Sequence, residues 1–561
     1  MIRLLGDELK ASILSLCRRF AEAHGVKAAC VYGAWACGYA DEKDDVNVLL
    51  VAHGYTPILG LRTLPLNGVR VSLLVVDQEA FKRDVEAGWL GEFAADKLMT
   101  PYEPLINEAF LRRCEVKVKK RIVFELLENL VSEFPELSRE LYIKPEYFMY
   151  EEMARRARLL PPIAYHFLNL LRGDLGKRNR RMIMDGYLKA LQRLEGEGWV
   201  TLTEGFVRVT PNLIEAVKRR RLRIPPFLKS MQRAAFLHLF SVFPEVMSSL
   251  IRDEEIFLKT HRAKVADPTA LLEDPEKYLL IPTPLGLIPF SDKTSIEDFV
   301  RRSVPGGRSL QMRLEELGGV LNLVYLLTIR MDHEERRVVV KKFKDWMGFK
   351  WFPLALWTLG TQSFAVLGKS RLEREYSINQ LLSSHGIRVP KILYISLKER
   401  LIFEEFIEGE TLLKVVQRVI SGQSSHDRDI RLIKAAGERV AAVHRLGVTL
   451  GDCKPENLLI TEDGEIAFLD LEQAVRGGNP AWDVAEFLYY SGHYLPPLSP
   501  TEPIKAVTKA FIEGYLEGGG RREVVREAAS AKYVKVFSPF TLPHVLLAIS
   551  NLCRRLGGDS P

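Results

Sequence analysis

The stretch "LGDCKPENLLI" (450–460) sets an aspartate, a lysine and an asparagine at 452, 454 and 457, and the apolar run of "AFLDLE" then ends in Asp470. Upstream, "RRVVVKKFK" (336–344) reads as an apolar strand closing in lysines, and "SRLEREYSINQLLSSHGIRVP" (370–390) as a helix carrying Glu375 followed by a strand lead-in. Phosphoryl transfer needs a lysine on the nucleotide phosphates, a carboxylate holding that lysine, an aspartate at the acceptor hydroxyl and metal ligands bridging the phosphates. All four occur here in that order. Lys341 is assigned to the phosphates, with Lys342 as the out-of-phase alternative, and Glu375 to its partner carboxylate. Asp452 would orient or deprotonate the acceptor hydroxyl, Lys454 would offset developing charge, and Asn457 and Asp470 would hold metal. The strand in "LIFEEFIEGETL" (401–412) would receive adenine, with Glu404 and Phe406 as its contacts. One such residue alone would be a surface loop residue; the ordered set in matching strand, helix and loop contexts carries the assignment.

The departures from the common pattern are informative. "DLE" stands in place of "DFG", Leu450 occupies the usual histidine position of the loop, and no "APE" follows Asp470. "LEELGGVLNLVYLLTI" (314–329) offers only Gly318 and Gly319, so the phosphate loop is short. In these features the segment resembles the atypical RIO-type kinases and the small kinase of the threonylcarbamoyl-adenosine tRNA-modification complex, over about 250 residues. Both lack the long peptide-binding activation segment. The resemblance implies a bilobal kinase-like domain using ATP and Mg²⁺. Trp346, Phe349, Trp351, Phe352 and Trp357, inserted between strand and helix, have the spacing of core aromatics; the other reading is a stacking surface for an unpaired base.

The elements ahead of this block divide the chain into α/β and α+β parts. Residues 1–145 alternate helix and strand: "AACVYGAWACGYADEKDDVNVLLVA" gives strand, glycine turn and strand, "GVRVSLLVVD" (68–77) a third strand, and "VKKRIVFELLENLVSEF" a closing helix. Gly33-Ala34, Gly38 and Asp45-Val46-Asn47 resemble the opening signature of the polymerase-β-like nucleotidyltransferase family. That chemistry holds two metal ions between carboxylates. Only Asp45 remains, since Asn47 replaces the second acid and Ser72 the third, so the resemblance implies the fold without the activity. Residues 146–235 read as helices followed by two short strands around Glu204-Gly205, the order of a winged helix, with "RRMIMDGYLKALQRL" (180–194) preceding the wing. A helical linker is assigned to 236–274 and the kinase-like domain to 275–561.

With 561 residues, 47% hydrophobic and 27% charged, the chain has the composition of a multidomain globular protein. Six cysteines form no CxxC pair and no metal-ligand spacing, as expected for a reduced, cytoplasmic chain. "MIRLLGDELKAS" lacks the apolar core of a signal peptide, and "WFPLALWTLGTQSFAVLG" (351–368) reads as a buried helix, so no membrane segment is expected. Net charge is +7, yet Met153–Arg233 alone holds 18 Lys or Arg against 6 Asp or Glu, leaving −5 for the remainder. Such a concentrated footprint favours a polyanion. Arg178, Arg180, Arg181, Lys218, Arg219, Arg220, Arg221 and Arg223 are the candidate phosphate contacts. Residue chemistry leaves DNA and RNA equally open. A lapsed nucleotidyltransferase, a basic winged helix and a RIO-like kinase in one chain resemble the archaeal RNA kinases that phosphorylate a ribose 2′-hydroxyl in the variable loop of tRNA. That resemblance implies tRNA as substrate and Asp452 facing the 2′-hydroxyl. Only nine glutamines agree with a thermophilic source.

Overall fold

A computed structural model describes residues 5–41, 44–159, 163–219, 272–303, 310–318, 322–331, 334–345, 365–422, 426–497 and 499–558. The chain forms two compact units, Met1–Leu280 and Ile281–Pro561, both mixed in helix and strand. Gly319, Arg220, Arg221, Arg223, the segment assigned as linker up to residue 271 and the aromatics of 346–360 lie outside the described residues. Among the described residues, no helix is long and apolar enough to cross a membrane, and all six cysteines are free and buried.

In the first unit, β1 (Val26–Tyr32), β2 (Val46–Ala52), β3 (Leu59–Leu66), β4 (Val69–Asp77) and β5 (Glu103–Ile106) form a sheet in the order β3-β4-β2-β1-β5. Only β2 and β4 are parallel; both are apolar and buried over most of their length, and Asn47 and Ser72 lie opposite each other where the two strands begin. At the edge, β3 is largely exposed and carries Pro65, which suits a strand with one unpaired side. The helix Glu108–Glu133 packs against the helix Gly173–Gly196. Where they touch, Lys119 and Glu115 form a buried 2.7 Å ion pair. A Cβ on Gly186 would lie 2.4 Å from Glu115 Oε1, so this close approach requires glycine. β6 (Tyr142–Ile143) pairs with β8 (Phe206–Val209), which pairs in turn with β7 (Val200–Thr203). Glu204 and Gly205 make the β7–β8 turn with both φ values positive, as a two-residue hairpin demands. The first residues of β9 (Leu279–Thr283) lie along β6.

The second unit continues with β10 (Gly286–Pro289) and the helix Ile296–Ser303. β11 (Leu310–Gly318), β12 (Leu323–Met331), β13 (Glu334–Lys342), β14 (Ile392–Ser396) and β15 (Leu401–Glu405) form an antiparallel sheet in the order β11-β12-β13-β15-β14. One face of it, including Val338, Val340, Leu401 and Phe403, packs with Phe299 and Val300 of the helix Ile296–Ser303. Strand alternation sends Lys341 to the opposite face, where it meets the helix Gly368–Ser384. The rest of the unit is helical, around one large core drawn from the helices Leu412–Ser421, His426–Arg445, Pro480–His493, Glu502–Glu517 and Pro543–Gly557. Across it run β16 (Gly409–Thr411), β18 (Leu458–Thr461) and β19 (Ile466–Phe468) as a three-stranded sheet, and β17 (Val448–Thr449) with β20 (Val475–Arg476) as a pair.

Candidate active site

Lys341 Nζ lies 2.7 Å from Glu375 Oε1 and 3.3 Å from Glu404 Oε2, and all three side chains are buried. Burial works against the ammonium charge, but Glu375, Glu404 and Asp470 outweigh it and hold the lysine well above its ordinary pKa. Lys342, one position on, is exposed. Glu404 lies opposite Val339 in the β13–β15 ladder, which sets its side chain diagonal to Lys341. The Glu404 carboxylate therefore belongs to the lysine cluster. Phe406 follows the end of β15, half-buried, with the Arg337 guanidinium 4.6 Å from its ring centroid. Gly318 closes β11 beside an irregularity in the β11–β12 pairing.

Asp470 adopts a left-handed backbone, φ 57°, an uncommon conformation for a residue with a side chain. Its Oδ1 is sealed from solvent and takes no hydrogen bond. Burial, then the neighbouring Glu472, push its carboxyl up to about 7 against the pull of Lys341. Asp452 lies nearby on the loop after β17: its Oδ1 is 2.5 Å from Lys454 Nζ, and its Oδ2 accepts from Asn457 Nδ2 at 3.1 Å. Asn457 Nδ2 also donates to the Asp452 carbonyl at 2.9 Å, so the amide oxygen is the atom left for a cation. The Asn457 carbonyl accepts from Leu469 N at 2.8 Å, tying this loop to the strand that delivers Asp470.

Buried polar residues outside the motif frame these loops. Asp483, fully buried on the helix Pro480–His493, accepts from Leu450 N at 2.6 Å and Gly451 N at 2.8 Å. Its Oδ2 also meets His444 Nε2 at 2.9 Å, and His444 Nδ1 meets the Tyr515 hydroxyl at 2.8 Å. Three residues further along that helix, Glu486 accepts from Cys453 N at 2.7 Å and Trp482 Nε1 at 3.1 Å. Leu450 itself is core, and Gly451 turns the chain at φ 73° so that Asp452 leaves the core. Arg371, buried one turn before Glu375, donates to Asn322 Oδ1 at 2.7 Å and to Glu472 Oε1 at 3.1 Å; Asn322 Nδ2 also contacts Glu472. Asp483 and Glu486 were nonetheless signalled in the sequence, as two carboxylates in the otherwise apolar "PAWDVAEFLYY".

The basic residues lie apart from this cluster in sequence. Arg178, Arg180 and Arg181 are exposed on the helix Gly173–Gly196, with Arg180 5.8 Å from the Tyr150 ring centroid. Lys218 and Arg219 are exposed at the end of the helix Pro211–Arg219.

An antiparallel sheet with one inward lysine, a helix glutamate paired to it and two acidic loops beneath is the apparatus of an ATP-dependent kinase, and that is what the protein is. Residues 333–487 match the profile of the Lipopolysaccharide kinase (Kdo/WaaP) family. The chain is 26% identical over 170 residues to the KEOPS complex subunit Bud32 of Pyrococcus abyssi, covering 29% of this chain and 72% of that protein. It is similar at the same identity, over 181 residues and 84% of the relative, to the "Probable serine/threonine-protein kinase BUD32 homolog" of Archaeoglobus fulgidus. The match to the EKC/KEOPS complex subunit bud32 of Dictyostelium discoideum, also 26% identical, spans 106 residues and 42% of that protein.

Proposed function

We propose that this kinase transfers the γ-phosphate of ATP to a ribose 2′-hydroxyl of tRNA. The observation that carries the reading is the nine-residue passage Leu471–Asn479 between Asp470 and the helix Pro480–His493. A chain that short provides no platform for an extended peptide, and the Asp452 side chain on the neighbouring loop keeps 21% exposure. The exposed Arg178, Arg180 and Arg181 on the helix Gly173–Gly196 support a polyanionic substrate. Two relatives are named as subunits of KEOPS complexes, and the matching family is named for lipopolysaccharide, a non-protein acceptor.

In this reading Lys341, held by Glu375, binds the ATP phosphates, and adenine lies along β15 near Phe406. Asp452 orients the 2′-hydroxyl and takes its proton as the oxygen–phosphorus bond forms and the bond to ADP breaks. Lys454 offsets charge on the transferring group. The orphaned Asp470 Oδ1 and the Asn457 amide oxygen are hard donors that fit Mg²⁺. A bound Mg²⁺ would supply charge neutralisation on the phosphates. Residues 1–145 serve as a nucleotidyltransferase-like domain, 146–235 as a winged helix, 236–274 as a linker and 275–561 as the kinase. The first of these has no catalytic role, because Asp45 is committed to Arg70 at 3.0 Å and to Ser72 at 3.1 Å.

Incubation with γ-labelled ATP and either bulk tRNA or total protein tests the reading. Label on tRNA supports it. Label on protein alone would favour the Ser/Thr protein kinase that the name of the Archaeoglobus relative suggests.

A further inference from the structure

The helix Pro480–His493 is almost wholly buried from Ala481 to Gly492, and Tyr490 is the residue in that run that reaches the surface. Its ring lies 5.3 Å from Lys454 Nζ, which also pairs with Asp452 at 2.5 Å. Two more aromatic rings join it. Centroids are 6.1 Å apart for Tyr490 and His493, 6.4 Å for Tyr490 and Tyr494, and 5.4 Å for His493 and Tyr494. The rings meet tilted or edge to face and not as a parallel stack. Each outer ring is held: the Tyr494 hydroxyl donates to Glu456 in the turn Pro455–Asn457, and His493 Nδ1 meets the Phe540 carbonyl. His493 is exposed, and Tyr490 and Tyr494 are half-exposed.

The geometry points to Tyr490, His493 and Tyr494 as a shelf that stacks the base of the acceptor nucleotide, an unpaired base of an RNA strand. This rests on the RNA reading above. A ribose whose 2′-hydroxyl sits at Asp452 carries its base one glycosidic bond away, so the base must lie within a single nucleoside's reach of that carboxylate. The Tyr490 ring, one lysine head from Asp452, lies within such a reach. Lys454 beside it is complementary to the acceptor's phosphates as well as to the transferring group. Stacking tolerates any base, so the shelf accounts for engagement of an unpaired nucleotide and leaves the choice of nucleotide to contacts elsewhere.

The test is steady-state transfer from ATP to bulk tRNA by the full-length protein and the variants Tyr490→Leu, Tyr490→Phe and His493→Ala, with ATP affinity measured for each. Tyr490→Leu and His493→Ala should each raise the KM for tRNA about tenfold, the loss of about one stacking contact. Tyr490→Phe should keep the wild-type KM, because it keeps the ring. ATP affinity should stay within twofold throughout. His493, exposed on the last turn, keeps the test decisive if Tyr490→Leu folds poorly. Labelled tRNA with an unchanged KM in His493→Ala, or a Phe variant as impaired as Leu, would overturn the shelf while leaving the RNA reading intact. Label on protein alone in the wild type would overturn both.

Discussion

Arg371 Nη1 lies 3.1 Å from Glu472 Oε1, a buried ion pair joining the helix that carries Glu375 to the residue two beyond Asp470. Asn322, just before β12, bridges both partners, so a single polar knot spans the helix, the strand turn and the Asp470 loop. Glu472→Ala should destabilise the protein by about 3–5 kcal/mol, because it removes the carboxylate hydrogen-bonded to a buried guanidinium. The double variant Arg371→Met, Glu472→Leu should regain most of that stability in denaturant unfolding yet keep a large kinase defect, since the three segments are no longer tied together. Full recovery of activity in the double variant would reduce the knot to packing.

Asp452 and Asp470 should separate cleanly. Asp452 addresses the acceptor, so Asp452→Ala should lower transfer by about 10²–10⁴-fold while ATP affinity, followed by calorimetry, changes little. Asp470→Ala should weaken Mg²⁺-dependent ATP binding as well. Equal loss of ATP binding in both variants would show that the two roles are wrongly divided.

The Asp470 carboxyl is pushed from an ordinary 3.8 up to about 7, chiefly by burial and next by Glu472. The nucleotide-free fold therefore holds a proton that the unfolded chain has released between those values. The stabilising contribution of the protonated group is complete below about pH 4 and is lost as pH rises through about 7. Asp470→Asn should flatten the fall in stability between pH 4 and 7, measured by denaturant unfolding without nucleotide. An unchanged pH slope would contradict the environment described for this carboxyl.

Replacing Arg178 and Arg181 by alanine should raise the tRNA concentration needed for half-maximal rate. It should also reduce the slope of log affinity against log salt by somewhat under one unit per lost phosphate contact. ATP affinity serves as the control. An unchanged salt slope would mean that this helix face does not grip the substrate.

The elements around the site were legible because their residue patterns are imposed locally. "RRVVVKK" is apolar on both faces and ends in lysine, as a buried strand feeding a site must be, and the β7–β8 turn is written in Glu204-Gly205. The loop supports show in the sequence only as two carboxylates in an apolar helix; their role was not legible, because Asp483 and Glu486 act by accepting backbone N–H groups more than thirty residues away. Leu450 shows why a position can mislead: the loop is anchored through the Leu450 amide, so its side chain is free to join the core, and His444 reaches Asp483 from another helix. Strand pairing likewise decided Glu404. From sequence it belongs to the adenine strand, but its register opposite Val339 brings the carboxylate to Lys341. The edge strand β3 escaped notice because Arg62 and Thr63 break its alternation and Pro65 interrupts it.

Transfer to a 2′-hydroxyl of tRNA would leave a chemical signature. Alkaline cleavage of RNA requires a free 2′-hydroxyl beside each phosphodiester, so a 2′-phosphate protects the bond that follows it. The most direct measurement is alkaline digestion of tRNA labelled by this protein from γ-labelled ATP, followed by separation of the products by size and charge. Label is expected in an alkali-resistant dinucleotide and is expected to be absent with Asp452→Ala. Label recovered in mononucleotides, at a chain end or only on protein would contradict it.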